Sequence, residues 1–309
     1  MRPLLLICGP TACHKSETAL RLGERWGGEI LSIDSVAVYR GLDIGSAKPD
    51  PSERRRVPHH LIDIVEPDDA SFSVAAFQGA ADRVLQELAQ RGVQPILVGG
   101  SGLYCDAVLE DMGYALPSDK ALRSRLEGEY DADPEAFFRQ MAKGDGPSGE
   151  KLHLNDKKRV VRAREVFLLS GKPISSFNQT YMAAQRHDRY PAVRVGLTMP
   201  REKLYAAIDR RVDRMMEQGL LDEVKGLKER GYDRRLPAMQ AIGYAQLYAY
   251  LEGEMPLETA VEAIKRTTRQ FAKRQLTWFR RDERIRWFDC EDYEKAYPEI
   301  EAYVKETIF

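Results

Sequence analysis

A chain of 309 residues, 43% hydrophobic and 31% charged, has the make-up of an ordinary globular enzyme and the length for one large domain plus a smaller one. Four scattered cysteines, Cys8, Cys13, Cys105 and Cys290, lack metal-ligand spacing and do not suggest a disulfide framework, so a reducing cytoplasm is the expected compartment. The formal net charge of −1 means that any nucleic-acid affinity must come from local basic clusters, and no run of 18 apolar residues offers a membrane span.

Leu4 to Cys8 is a continuous apolar run, the pattern of a strand buried on both faces of a parallel sheet. Lys15 to Trp26 has helical apolar spacing at Ala19, Leu22, Gly23 and Trp26, and Glu29 to Ile33 reads as a second strand after Gly27-Gly28. Leu61 to Val65 reads as a strand, Ser73 to Arg91 as a helix, and Gln94 to Val98 as a strand ending at Gly99-Gly100-Ser101-Gly102. This alternation predicts an α/β fold, a parallel sheet flanked by helices. Residues 113–190 turn to charged helices, with a flexible break at Gly144 to Gly149, and read as a helical insertion between core segments 1–112 and 191–309. Arg194 to Thr198 is a returning strand, and Arg201 to Arg230 and Leu257 to Arg280 are long helices.

Gly9-Pro10-Thr11-Ala12-Cys13-His14-Lys15-Ser16 follows a buried strand and opens a helix, the context of a phosphate-binding loop. Backbone amides and a helix N-terminus favour phosphate oxygens, Lys15 supplies positive charge, and the Ser16 hydroxyl can reach a magnesium ion. His14 stands where G-x-x-x-x-G-K-[ST] has its second glycine. An ordinary right-handed backbone at His14 is expected, which would keep the loop competent.

Beyond this loop the sequence resembles the tRNA dimethylallyltransferases. The similar segments are Asp34-Ser35 with Val38 to Pro49, Pro58 to Asp63, Gly99 to Tyr104, Asn155-Asp156 with Arg159 and Arg162, Pro237 to Tyr244, and Thr268 to Arg280. Two departures from the family pattern are Val36-Ala37, where Met-Gln is usual, and Ser101, where threonine is usual. The resemblance implies transfer of a dimethylallyl group from dimethylallyl diphosphate to N6 of an adenine beside the anticodon of tRNA, with Mg2+. It implies Asp34 as the base toward N6, with Ser101 and Arg211 at the departing diphosphate. Asp34 ends a strand beside the loop, where open α/β sheets place ligands. Its other use there is a cap of the strand-to-helix turn. Arg211 lies in an alternating-charge helix that reads by itself as a solvated face.

Two basic clusters suit tRNA: Lys265 to Arg286, formally +7, and Lys151 to Lys172. Helical spacing puts Arg266, Arg269 and Lys273 on one stripe. Charge and resemblance together assign tRNA contact to Asp34, Ser35, Val36, Ala37, Gly102, Ser124, Lys158, Arg159, Arg162, Gln240, Gly243, Arg269, Lys273 and Arg274. The expected partners are tRNA and dimethylallyl diphosphate, with no membrane and a monomeric protein. The alternatives are a transferase acting on free AMP, ADP or ATP, a small-molecule kinase, and an RNA-binding module without catalysis. The kinase reading lacks an acidic magnesium ligand in Ile96 to Gly100.

Overall fold

The computed structural model describes residues 2–69, 72–110, 119–177 and 188–308. Its chain divides into two compact units, Met1–Leu109 with Tyr190–Phe309, and Glu110–Arg189.

The larger unit is built on six parallel strands: β1 (Leu4–Cys8), β2 (Glu29–Ile33), β3 (His59–His60), β4 (Pro95–Gly99), β5 (Ala192–Thr198) and β6 (Arg286–Asp289). They lie in the order β3-β2-β4-β1-β5-β6, every neighbouring pair parallel. All five residues of β1 and of β4 are buried, because helices cover both faces. Leu5 and Ile7 meet one layer, α1 (Lys15–Trp26) together with the helices of the returning chain. Leu4, Leu6 and Cys8 meet the other, α3 (Val74–Arg91) and α4 (Gly102–Leu109). A short helix, α2 (Pro51–Arg56), is held by a capping box from Asp50 and Glu53.

The smaller unit contains α5 (Lys120–Ala132), α6 (Pro134–Gly144), α7 (Gly146–Lys151) and α8 (Lys157–Ser170) around Leu126, Phe137, Met141, Val160 and Val161. The expected break at Gly144 to Gly149 is instead largely α7, because buried Asp145 caps it through Ser148 and Pro147 suits its first turn. Asp145 also accepts from the Ser175 amide at 3.0 Å, which ties the turn down.

The chain then forms α9 (Arg201–Glu217), α10 (Leu220–Glu229), a 3-10 turn at Pro237–Gln240, α11 (Tyr244–Leu251), α12 (Leu257–Phe279) and α13 (Tyr293–Ile308). Two expectations need correction, and one strand was not expected. Arg201 to Arg230 is two helices, since Gly219 takes φ 97 between them. No strand forms over Leu61 to Val65, because Leu61 and Asp63 have left-handed φ of 65° and 57°; the edge strand is the two residues before them, β3. β6 has no clear sequence signal, because Arg-Trp-Phe-Asp is short, lies at the sheet edge and has an exposed charged residue at each end. No helix among the described residues is long and apolar enough to cross a membrane.

Candidate active site

β2, β4 and β1 are neighbours, so their C-terminal ends bring together Asp34, the Gly100-Ser101 turn and the loop from Gly9 to His14. They open on a cavity of about 480 Å3. This is where an open parallel sheet leaves room for ligands, because the chain diverges to cover opposite faces.

The loop turns tightly. Gly9 has φ 132, and a Cβ there would lie 2.3 Å from the Leu197 carbonyl oxygen, so only glycine fits. Ala12 and His14 have left-handed φ of 64° and 53°. The right-handed conformation expected of His14 is therefore wrong: the chain keeps the turn that glycine usually makes and places a side chain on it, which costs about 1–2 kcal/mol. No side chain caps α1, and among the described residues no protein acceptor meets the amides of Lys15, Ser16 and Glu17. Such a terminus favours an anion.

Lys15 donates from Nζ to the Pro10 carbonyl at 2.6 Å and faces the cavity. Burial pushes its pKa down to about 8, with Cys13 opposing that shift and Arg211 adding to it. Arg211, about two-thirds of the way along α9, reaches the same cavity; burial lowers its pKa, Asp34 opposes, and Arg214 adds to the lowering. Ser16 is exposed toward the cavity.

Asp34 Oδ1 accepts from the amides of Val36 at 2.7 Å and Ala37 at 3.1 Å, so the capping role is present. Oδ2 has no hydrogen-bond partner among the described residues. Ser101 Oγ accepts from the Ser35 amide at 3.2 Å and ties the end of β2 to the end of β4. Half-buried Asp34 and Ser101 thus share a cavity with Lys15 and Arg211.

Two contacts that sequence reasoning missed shape the walls. Buried Gln275 on α12 accepts from the Thr11 amide and donates to the Gly100 carbonyl, both at 2.9 Å, bracing the loop against the β4 turn. A Cβ on Gly100 would lie 2.0 Å from that amide nitrogen. Glu223 on α10 accepts from the amides of Asp43, Ile44 and Gly45 and from the Tyr244 hydroxyl, at 2.6–3.2 Å. The buried ammonium of Lys48 is held by the Tyr39 carbonyl, Asp43 and Asp63 at 2.6–2.7 Å. These bonds explain the segment from Val38 to Pro49: it forms the cavity wall at Gly45 to Pro49. Glu223 sits among charged helix residues, and nothing in the sequence marks it.

Of the residues assigned to tRNA, Asp34, Ser35, Val36, Ala37, Gln240, Gly243 and Arg274 line the cavity. Gly102 packs against the Trp278 ring, where a Cβ would come within 2.2 Å. Lys273 is exposed. Arg269 differs from an open cation, because it is bonded to both carboxylate oxygens of Asp209 at 2.6 and 2.7 Å. In the smaller unit, Ser124, Lys158 and Arg159 are exposed, while half-buried Arg162 joins Arg123 on the buried carboxylate of Glu165.

The family model for IPP transferase matches residues 37–282. The chain is 45% identical over 292 residues to the tRNA dimethylallyltransferase of Pelotomaculum thermopropionicum, covering 94% of this chain and 92% of that one. It is 46% identical over 287 residues to the enzyme of the same name from Geobacter metallireducens, covering 93% and 92%. The solved tRNA isopentenylpyrophosphate transferase of Bacillus halodurans superposes with a TM-score of 0.73 at 41% identity, covering 100% of this chain and 97% of that one. A eukaryotic dimethylallyltransferase acting on tRNA shares the fold, with a TM-score of 0.83 at 24% identity, covering 99% and 79%. With agreement over nearly the whole chain, the protein belongs to the IPP transferase family, that of the tRNA dimethylallyltransferases.

Proposed function

We propose that the cavity transfers a dimethylallyl group from dimethylallyl diphosphate to N6 of the adenine next to the anticodon (position 37) in tRNA. The observation that carries the reading is the convergence of two cations, Lys15 and Arg211, with an uncapped helix N-terminus and the Asp34 carboxylate on one cavity. The cations and amides suit a departing diphosphate, and the carboxylate suits a nitrogen that must lose a proton.

In this reading the diphosphate oxygens accept from the amides of Lys15, Ser16 and Glu17, from Lys15 Nζ and from Arg211. As the bond between the allyl carbon and the bridging oxygen breaks, the electron pair leaves on the diphosphate, where these donors stabilise it. N6 of adenine forms the new bond to that carbon, and its proton passes to Asp34 Oδ2. Val36 and Ala37, by holding Oδ1, orient the carboxylate for that transfer. Ser101 is within reach of the same region through its tie to Ser35. An adenine must leave the stack of its loop to enter, and transfer requires that water, which would compete for the allyl group, be kept out as it does so.

Magnesium fits the donors present. Among the described residues no three His, Cys, Asp or Glu side chains could cage a metal, whereas the Ser16 hydroxyl faces the phosphate position. That suits an ion held largely by phosphate and water. When bound, it would neutralise charge on the diphosphate, with Ser16 as its protein ligand.

Mass analysis of nucleosides from tRNA incubated with protein, Mg2+ and dimethylallyl diphosphate tests the reading, with AMP, ADP and ATP as rival acceptors. Prenylated adenosine in tRNA is expected. Product on the free nucleotides with none on tRNA would overturn it in favour of the nucleotide-directed alternative.

A further inference from the structure

His14 holds a backbone conformation that residues with a Cβ avoid, and its side chain makes contacts that a glycine lacks. The imidazole stacks on Tyr293, the first residue of α13, with ring centroids 4.4 Å apart and planes 9° from parallel. Nδ1 lies 2.8 Å from Glu17 Oε2. The His14 carbonyl accepts from the amide and the hydroxyl of Thr18, at 2.9 and 2.8 Å. The Thr18 hydroxyl in turn lies 3.1 Å from the Tyr293 hydroxyl. Tyr293 is itself buried, and it is flanked by Tyr297 at 6.0 Å and the Arg21 guanidinium at 5.5 Å. The ring that His14 rests on is therefore fixed by the core and not by the loop.

We propose that Tyr293 is a positioning residue for the phosphate loop: its ring locks His14 in the left-handed conformation. The amides of Lys15, Ser16 and Glu17 then stay aimed at one point. A glycine reaches this backbone unaided, whereas a histidine reaches it with a partner. The departure at position 14 and the tyrosine at the start of α13 form one compensated pair. The C-terminal helix thereby becomes part of the donor site without touching the donor. This lock rests on reading the loop as a diphosphate cradle.

The test uses the full chain and inorganic diphosphate with Mg2+, with binding followed by calorimetry. Amide exchange of residues 15–17 is measured on the same proteins without ligand. His14→Ala keeps the Cβ and loses the stack, so it is expected to bind at least about fivefold more weakly than His14→Gly, by depleting the competent loop conformation. Tyr293→Leu is expected to weaken binding several-fold in the natural background and distinctly less when combined with His14→Gly. Tyr293→Phe, which retains the ring, should lie closer to the natural protein than Tyr293→Leu does. Equal affinity of His14→Ala and His14→Gly, or the same loss from Tyr293→Leu in both backgrounds, overturns the lock. Position 14 is partly exposed, so the alanine and glycine comparison decides even where Tyr293→Leu does not fold. If no variant and not even the natural protein binds diphosphate, the cradle reading fails. Amide exchange then judges the lock: faster in His14→Ala than in His14→Gly sustains it, and equal rates overturn it.

Discussion

Arg269 and Asp209 face each other across α12 and α9 and are joined by two hydrogen bonds, at 2.6 and 2.7 Å. The pair takes one arginine out of a stripe that spacing alone makes uniformly basic. Lys273 and Arg274 remain exposed on the same helix. Lys273→Ala with Arg274→Ala is expected to flatten the salt dependence of tRNA binding by about two contacts. Arg269→Ala should instead leave that slope near its natural value and lower the unfolding temperature. Filter binding from low to moderate salt measures the first, and thermal unfolding the second. A full unit of slope lost on Arg269→Ala would assign that side chain to RNA.

Asp34→Asn retains an oxygen for the amides of Val36 and Ala37, so the turn after β2 is expected to survive. On the proposed reading it removes the acceptor for the N6 proton, and single-turnover transfer should fall at least about a hundredfold with donor affinity little changed. Natural turnover by this variant would take Asp34 out of the proton transfer.

Lys15 releases its proton near pH 8 in the folded protein because burial disfavours the ammonium, against an ordinary value of 10.5. The unfolded chain therefore binds more protons between those values, and the contribution of Lys15 to stability rises from pH 8 to 10.5. Diphosphate binding runs the other way: it favours the charged form, so affinity is full below pH 8 and declines above it by at most about tenfold per unit. Cys13, pushed up to about 11 by burial, does not titrate in this range. Calorimetry with inorganic diphosphate from pH 7 to 9, beside Lys15→Met to subtract the ligand's own protons, isolates the effect. An identical pH profile for both proteins would refute it.

Gln275→Leu strips the Thr11 amide and the Gly100 carbonyl of their shared partner, at a cost of about 1–3 kcal/mol for each group left buried. Gln275→Glu can accept from Thr11 but not donate to Gly100, and it adds negative charge beside the phosphate position. Both variants should melt earlier, and the glutamate should lose more diphosphate affinity than the leucine. Equal affinities would show that the brace acts on stability alone.

The sequence by itself determined the parallel α/β core, because strands buried on both faces become continuous apolar runs and glycine marks their exits. It also made Lys15, Ser16 and Asp34 visible, since each follows a strand end at short range. Only the tertiary structure decided which distant side chains meet them. Arg211 sits in a charged helix whose cavity-facing side depends on how α9 packs, and neither Gln275 nor Glu223 has a local signature. Spacing along a helix cannot show that Asp209 claims Arg269, nor that Tyr293, 279 residues beyond His14, supplies the ring on which a left-handed histidine rests. Local order follows from neighbours along the chain, whereas burial, partners and pKa depend on contacts that exist only once the sheet has gathered its helices.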